Sequence, residues 1–126
     1  MLAFLLDEHI SPVVAEEARR KHPGIKIVAL RDWRGGSFLG TPDSVFLAEA
    51  ARERLSLVTY DQRTIRPLLK AWIEQGIAHA GVVFVDVRTI APQDFGGLVT
   101  ALGKPWKSER RADWTDRVVF LSRHSK

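Results

Sequence analysis

The strongest constraint on this chain is an alternation of short apolar segments with segments that carry helix signals. Apolar runs occupy residues 3–6, 25–30, 55–60 and 82–87, and a run that is apolar on both faces is typical of a strand buried inside a sheet. Such alternation favours parallel strands covered by helices on both sides. We therefore predict an α/β fold, a three-layer sandwich in which helices flank a central, mostly parallel sheet.

Residue types that favour helix ends mark the segments between the strands. The Ser-Pro pair at residues 11–12 combines an N-cap with proline at the first helical position, and predicts a helix to about residue 21. The Thr-Pro pair at residues 41–42 repeats this signal before a helix over residues 43–54. We expect both helices to cover the sheet.

Two more helices are indicated by apolar stripes at helical spacing, one ending near Gly76 and one following Pro92. The stripes are Leu68, Leu69, Trp72 and Ile73 in the first, and Phe95, Leu98, Val99 and Leu102 in the second. A last strand over residues 117–121 is expected at a sheet edge.

The length of 126 residues predicts a single domain. From about residue 104 this domain has a basic C-terminal extension, with seven Lys or Arg against three acids. The long loop over residues 31–40 has no clear structural signal, and we expect its Trp33 to be exposed. We place Trp72 in the core, whereas Trp106 and Trp114 either anchor the extension or face a partner.

Composition excludes several classes of function. The chain has no cysteine, which excludes disulfides, a thiolate nucleophile and cysteine-ligated metals. Its amino-terminal apolar run is too short for a signal peptide, and no run approaches the ~18 residues of a membrane span. We expect a cytoplasmic protein without a membrane segment. A net charge of +4 gives a mild preference for polyanions such as nucleic acid.

Acidic residues stand where the strands of the predicted sheet end. Asp7, with Glu8 beside it, follows the first strand, and Asp61 follows the third; ligands of open α/β sheets bind at these carboxyl ends. Asp43 lies on the apolar face of its helix, which a right-handed crossover starts at the same end. We expect Asp7, Asp43 and Asp61 to converge there.

Three convergent carboxylates repel one another, a cost that a cation offsets. Hard oxygen ligands suit Mg²⁺ or Mn²⁺, and such ions support phosphodiester hydrolysis. The histidines show no paired spacing typical of zinc sites. Each acid also has a structural interpretation: Asp61 as a helix cap, Asp7 as a turn residue and Asp43 as a first-turn acid. Asp86 and Asp94 are weaker candidates for a metal ligand, because we expect Asp86 to interrupt a strand and Asp94 to be a first-turn acid of its helix.

Three segments together resemble the compact PIN-like domains, relatives of bacterial ribonuclease toxins. The segments are LLDEHISP at residues 5–12, PDSVFLAEA at 42–50 and LVTYD at 57–61, and the resemblance spans about residues 3–87. The resemblance implies Mg²⁺ or Mn²⁺ as the cofactor and RNA as the substrate. It implies a cognate antitoxin protein and a homodimer as possible partners. It also implies that Asp7, Asp43 and Asp61 ligate the metal and catalyse the reaction.

This chain departs from the PIN-like pattern in two places. The family's second acid, a glutamate on a helix between the acids that Asp7 and Asp43 match, has no obvious equivalent here, so Glu8 is the available substitute, and residues 62–64 lack the family's further acid and aromatic. Thr59 is expected to support the acids. Arg34, Arg63 and Arg66 are candidate RNA contacts, against a solvated surface as the alternative.

Three functions therefore remain open. The first is a metal-dependent endoribonuclease, which the resemblance relates to the toxins of toxin–antitoxin pairs. The second is a non-catalytic PIN-like module that binds RNA or protein. The third is a phosphoacceptor receiver domain, suggested by Lys104-Pro105 and disfavoured because that pair follows a helical stripe and not a strand.

Overall fold

A computed structural model describes residues 1–123, and His124 and Lys126, the last cation of the basic extension, lie outside the described residues. The strands are β1 Ala3–Leu6, β2 Lys26–Ala29, β3 Ser56–Thr59, β4 Val82–Val85 and β5 Val118–Leu121. The α-helices are α1 Pro12–Lys21, α2 Asp43–Arg52, α3 Gln62–Gln75 and α4 Phe95–Glu109. Within residues 1–123, no helix is long and apolar enough to cross a membrane.

The five strands form one sheet in the order β2-β1-β3-β4-β5. Every neighbouring pair is parallel, so the predicted α/β sandwich is confirmed and its sheet is fully parallel. The chain leaves β1 in one direction to form β2 and returns to the other side of β1 to form β3. This reversal opens a crevice at the carboxyl ends of β1 and β3, where doubly wound folds bind their ligands.

The apolar side chains of β1 to β4 alternate between two cores. Phe4 and Leu6 of β1 pack in the core that α1 and α4 cover. Leu5 packs in the core that α2 and α3 cover. All four residues of β1, β3 and β4 are buried, which explains why these strands appear in the sequence as continuous apolar runs.

The helix starts differ in how they are capped. Ser11 caps α1 as predicted, because its Oγ accepts the Val13 N–H at 3.2 Å. The repeated signal at Thr41 is wrong as a cap: its hydroxyl donates to the Phe38 carbonyl at 2.7 Å, and Pro42 takes the N-cap position of α2. The same helix ends at Arg52, two residues before the predicted end.

Two expectations about apolar side chains are wrong. Trp33 is only 5% exposed, because the loop after β2 folds back so that the indole stacks on Phe38 at 4.7 Å and donates to Glu53 at 3.2 Å. Ile73, assigned to the buried stripe of α3, is 70% exposed, whereas Trp72 is buried as predicted.

The basic segment from residue 104 is part of the domain. Its first residues continue α4 to Glu109, and its last described strand, β5, pairs with β4 at the predicted edge position. Trp106 and Trp114 are buried, and the Trp114 indole donates to the Glu109 carbonyl at 2.9 Å. These tryptophans therefore anchor the segment to the domain.

Candidate functional site

The candidate site begins with Asp7, the first residue after β1. Its backbone N–H donates to the Val58 carbonyl of β3 at 3.0 Å, so the main chain is held in the sheet up to the residue that carries the carboxylate. The side chain is 8% exposed. Asp7 therefore presents a nearly buried acid on a rigid backbone at the crevice between β1 and β3.

Thr59, the last residue of β3, orients this carboxylate. Its hydroxyl donates to Oδ2 of Asp7 at 2.6 Å and accepts the backbone N–H of Asp61 at 3.0 Å. Because an amide N–H can only donate, the single hydroxyl proton is left for Asp7. The predicted supporting residue thus connects two of the three predicted acids through one hydroxyl.

Burial dominates the protonation chemistry of Asp7. Removal from water raises the pKa of its carboxyl above 3.8, and the negative charge of Asp43 adds to the increase. The hydrogen bonds from Thr59 and from the Glu8 N–H, together with His9, act in the opposite direction. The remaining cost of the buried negative charge makes this position favourable for a cation.

Asp61 occupies a different position, as the N-cap of α3. Its Oδ1 accepts the Thr64 N–H at 3.1 Å, and its Oδ2 accepts the Thr64 hydroxyl. These bonds lower the pKa of Asp61, with the Thr64 hydroxyl as the largest cause. The structural interpretation of Asp61 as a helix cap is therefore realised, and the carboxylate is held toward its own helix.

Asp43 is the first residue of α2 and is half-buried. It lies close enough to Asp7 to raise the pKa of the Asp7 carboxyl. An acid in the first turn also interacts favourably with the helix dipole. Asp43 is thus both a helix-start residue and a second carboxylate whose charge acts on Asp7.

Glu8 and His9 form the exposed turn that follows Asp7. The Glu8 N–H donates to Oδ1 of Asp7 at 2.6 Å, so Glu8 supports the site through its backbone. The charge of His9 lowers the pKa of both Asp7 and Asp61. This histidine therefore lies near the two acids that follow the neighbouring strands.

The candidate RNA-binding arginines do not lie together. Arg34 forms ion pairs with Glu49 and Glu53. Glu49 lies on α2 and Glu53 follows its last residue, so these acids lie up to about 15 Å from Asp43 along the helix axis. Arg63 and Arg66 are exposed on the first two turns of α3. Only this second pair lies beside an acid of the site.

The two weaker acidic candidates serve other purposes. Asp86 does not interrupt β4, which ends at Val85; its carboxylate accepts the Arg88 N–H at 3.0 Å in a turn. Asp94, expected in the first turn of α4, is its N-cap and also pairs with Arg123. Neither residue contacts Asp7.

The acids therefore share one edge of the sheet without forming a preformed metal cage. In the described part of the chain, no group of three or more His, Cys, Asp or Glu side chains is arranged to hold a metal ion. Asp43 acts on Asp7 through its negative charge, and Asp61 is held by its cap. A pair of carboxylates can bind a cation that keeps part of its water shell.

Sequence reasoning did not identify Thr64. Its hydroxyl and N–H both bind Asp61, and this contact decides how far the third acid is available to a ligand. A polar residue three positions after a predicted N-cap is the available signal, since capping boxes have this spacing.

Comparison with known proteins identifies no relative. No family model, no curated protein and no solved structure matches the chain. The assignment of a function consequently depends on the arrangement around Asp7.

Proposed function

We propose that this protein is a metal-dependent ribonuclease of the PIN-like type, with its site at the carboxyl ends of β1 and β3. The observation that carries the proposal is the buried Asp7 carboxylate, whose charge is held at the topological switch point beside a second acid, Asp43. No basic side chain forms an ion pair with Asp7 among residues 1–123. A buried negative charge without a counter-ion is the expected property of a cation ligand.

The donor set fits a hard divalent ion. Asp7 and Asp43 supply carboxylate oxygens, and Mg²⁺ or Mn²⁺ binds through one or two carboxylates with water and substrate phosphate as the remaining ligands. Asp61 contributes through the lone pairs that its bonds to Thr64 leave free. When bound, the ion would activate water and stabilise the leaving oxygen of a phosphodiester.

The chain's own residues orient the Asp7 carboxylate and favour RNA as the substrate. Thr59 directs one oxygen of Asp7 by donating its hydroxyl proton. The Glu8 N–H holds the other oxygen, so the carboxylate cannot rotate freely. Arg63 and Arg66, on the helix that Asp61 caps, place positive charge where an RNA backbone would approach the acids. The net charge of +4 also favours a polyanionic substrate.

The test combines metal binding with cleavage. Mn²⁺ is titrated into the protein by calorimetry, and a mixed RNA pool is incubated with the same samples. We expect wild type to bind and cleave, and Asp7→Asn to lose at least ten-fold in affinity and all metal-dependent cleavage. The Asn oxygen can still accept the Thr59 hydroxyl, whereas its NH2 group replaces the acceptor of the Glu8 N–H. The circular dichroism spectrum of the variant therefore checks that the fold is kept.

Asp86→Asn is the matched control, because Asp86 ends the neighbouring strand β4 but binds Arg88. It should bind and cleave as wild type does. Asp61→Asn tests the third acid, since Asn caps helices as well as Asp does. Loss of cleavage in that variant assigns Asp61 to the reaction, and wild-type cleavage assigns it to the cap alone. Absence of Mn²⁺ binding by wild type would exclude the metal-dependent mechanism.

A second candidate is a non-catalytic PIN-like module that binds RNA or protein. The observation that favours it is the absence of a three-residue metal group among residues 1–123, together with the use of Asp61 as a cap. RNA binding that is unchanged by Mn²⁺ and by Asp7→Asn, without cleavage, would support this function. The toxin role and a cognate antitoxin rest on the ribonuclease proposal.

A receiver domain shares this strand order but is not supported by the position of two features. Lys104 and Pro105 lie inside α4 and not after a strand. Asp43 begins a helix, whereas the receiver pattern needs its acids at strand ends.

A further inference from the structure

The two outer strands of the sheet differ in how their free edges are covered. On β2, the outward carbonyls are satisfied: Ile27 accepts the Arg19 guanidinium at 2.7 Å, and Ala29 accepts the Asp32 N–H at 2.9 Å. The exposed Lys26 also places a charge on this strand. Charges and covering contacts are the usual protection against pairing with another strand.

Among residues 1–123, no such protection covers the outer edge of β5. Arg117 and Leu121 use their carbonyls toward β4, accepting the Val82 and Asp86 N–H groups at 2.9 Å. By alternation, the backbone groups of Val118 and Phe120 point away from the sheet. No described residue pairs with that edge, and the strand itself, VVFL, contains neither a charge nor a proline.

The flanking charges do not cover this edge. Arg117 forms an ion pair with Glu109 at 3.1 Å, and Arg123 pairs with Asp94. Val118 is 41% exposed and Phe120 is 58% exposed. A strand that is both apolar and open at its edge is prone to pair with another chain.

An apolar groove of about 510 Å³ lies between β5 and α3. Its floor includes Phe84, which stacks on Phe120 at 5.5 Å, and the exposed Ile73 lies on its rim. The groove thus extends the apolar surface of the open edge onto the neighbouring helix. It is lined by Arg66, Leu69, Lys70, Ile73, Glu74, Phe84, Val118 and Phe120.

The charges that border the groove are self-complementary. Arg66 lies in the second turn of α3, Lys70 lies just past the middle of the helix, and Glu74 lies near its end. A two-fold axis through β5 would make the α3 helices of two chains antiparallel. Glu74 of each chain would then point toward the cations of the other, as an isologous interface requires.

We propose that the β5 edge is a homodimer interface, in which two chains join their sheets by antiparallel pairing of β5 with β5 of a second copy. Val118 of each copy would form a hydrogen-bonded pair with Phe120 of the other copy. Val119 would lie directly opposite Val119 of the other copy, on the two-fold axis. The two candidate sites would lie at opposite ends of the joined sheet, so each would be served by one chain. This interface does not depend on the ribonuclease proposal.

Single-cysteine variants test the register, because the chain has no cysteine of its own. In the paired edges, the Cα atoms of residue 119 in the two copies would be about 4.5 Å apart, which is within disulfide range. Val119→Cys should form a disulfide-linked dimer on mild oxidation. Val118→Cys is the control in the same strand, because its equivalents would lie at a diagonal distance of about 7–8 Å, beyond that range.

The mass in solution is the second measurement. Sedimentation of wild type should give twice the chain mass of 14.2 kDa, and Phe120→Lys should give a monomer. Because Phe120 is mostly exposed, the variant should keep the circular dichroism spectrum of wild type, which separates loss of the interface from loss of the fold. The proposal is overturned by a monomeric wild type at all concentrations, by cross-linking of Val118→Cys instead of Val119→Cys, or by a dimer that Phe120→Lys leaves intact.

Discussion

Asp7 and Asp61 follow neighbouring parallel strands, yet the structure gives their carboxylates opposite properties. Asp7 is buried, and the loss of water raises its pKa. Asp61 is half-buried and caps α3, and its bonds to Thr64 lower its pKa. The same residue type at equivalent strand ends therefore lies in two different environments: Asp7 is the centre of the proposed cation site, and Asp61 is the start of a helix.

Thr59 connects these two environments, and its removal should have the largest effect on stability. Thr59→Val keeps the side-chain shape but leaves Oδ2 of Asp7 and the Asp61 N–H without their partner. We expect a loss of about 3 kcal/mol in the free energy of unfolding, measured by urea denaturation. Thr59→Ser retains the hydroxyl and should lose only about 1 kcal/mol. Equal losses in the two variants would show that the hydroxyl does not stabilise the fold.

The cap of α3 should contribute less. Asp61→Ala removes the acceptor of both Thr64 bonds and should lower the free energy of unfolding by about 1 kcal/mol. Asp61→Asn should be nearly as stable as wild type at neutral pH. If Asp61→Ala were as stable as wild type, the capping contact would have no energetic role and the contrast with Asp7 would fail.

The smallest effect, and the one that separates the two acids most directly, is the pH dependence of stability. Because the pKa of Asp7 is raised in the fold, its contribution is complete below 3.8 and is lost as the pH rises through the folded pKa. Because the pKa of Asp61 is lowered, its contribution is present above 3.8 and is lost as the pH falls through the folded pKa.

Unfolding of Asp7→Asn and Asp61→Asn, followed across the acidic range, should therefore give opposite trends. Relative to wild type, Asp7→Asn should gain stability as the pH rises above 3.8, and Asp61→Asn should lose stability as the pH rises toward 3.8 from below. Parallel trends would contradict the assignment of burial as the dominant effect at Asp7. Saturating Mn²⁺ should reduce the advantage of Asp7→Asn, because the ion compensates the buried charge of wild type alone.

The elements of the fold were largely predictable because local signals agree with the tertiary structure. Continuous apolar runs identified the buried strands, and Ser11 with Pro12 identified the start of α1. The errors occur where a side chain had a competing partner. Thr41 bonds to Phe38 instead of capping α2, and Trp33 is buried against Phe38 because its loop folds back on α2.

The sequence identified the acidic residues of the candidate site but not the contacts that their side chains make. The positions of Asp7 and Asp61 after apolar runs placed both at the carboxyl edge, and the pairing of β1 with β3 makes their strands neighbours. The capping of Asp61 by Thr64 and the ion pairs of Arg34 are contacts between specific side chains. Such contacts depend on rotamers and loop paths, which hydrophobic periodicity does not encode.

By itself, the sequence determined the alternation of strands and helices, the class of the fold and the edge of the sheet on which acids accumulate, because periodicity and helix-end chemistry are local properties. Only the tertiary structure decided that Asp7 is buried and hydrogen-bonded to Thr59, whereas Asp61 caps α3. It also decided that the outer edge of β2 is covered, whereas no residue of the described range 1–123 pairs with the outer edge of β5. These properties depend on which groups the fold brings together and which it leaves to solvent, and burial sets both the cost of a charge and the availability of an edge.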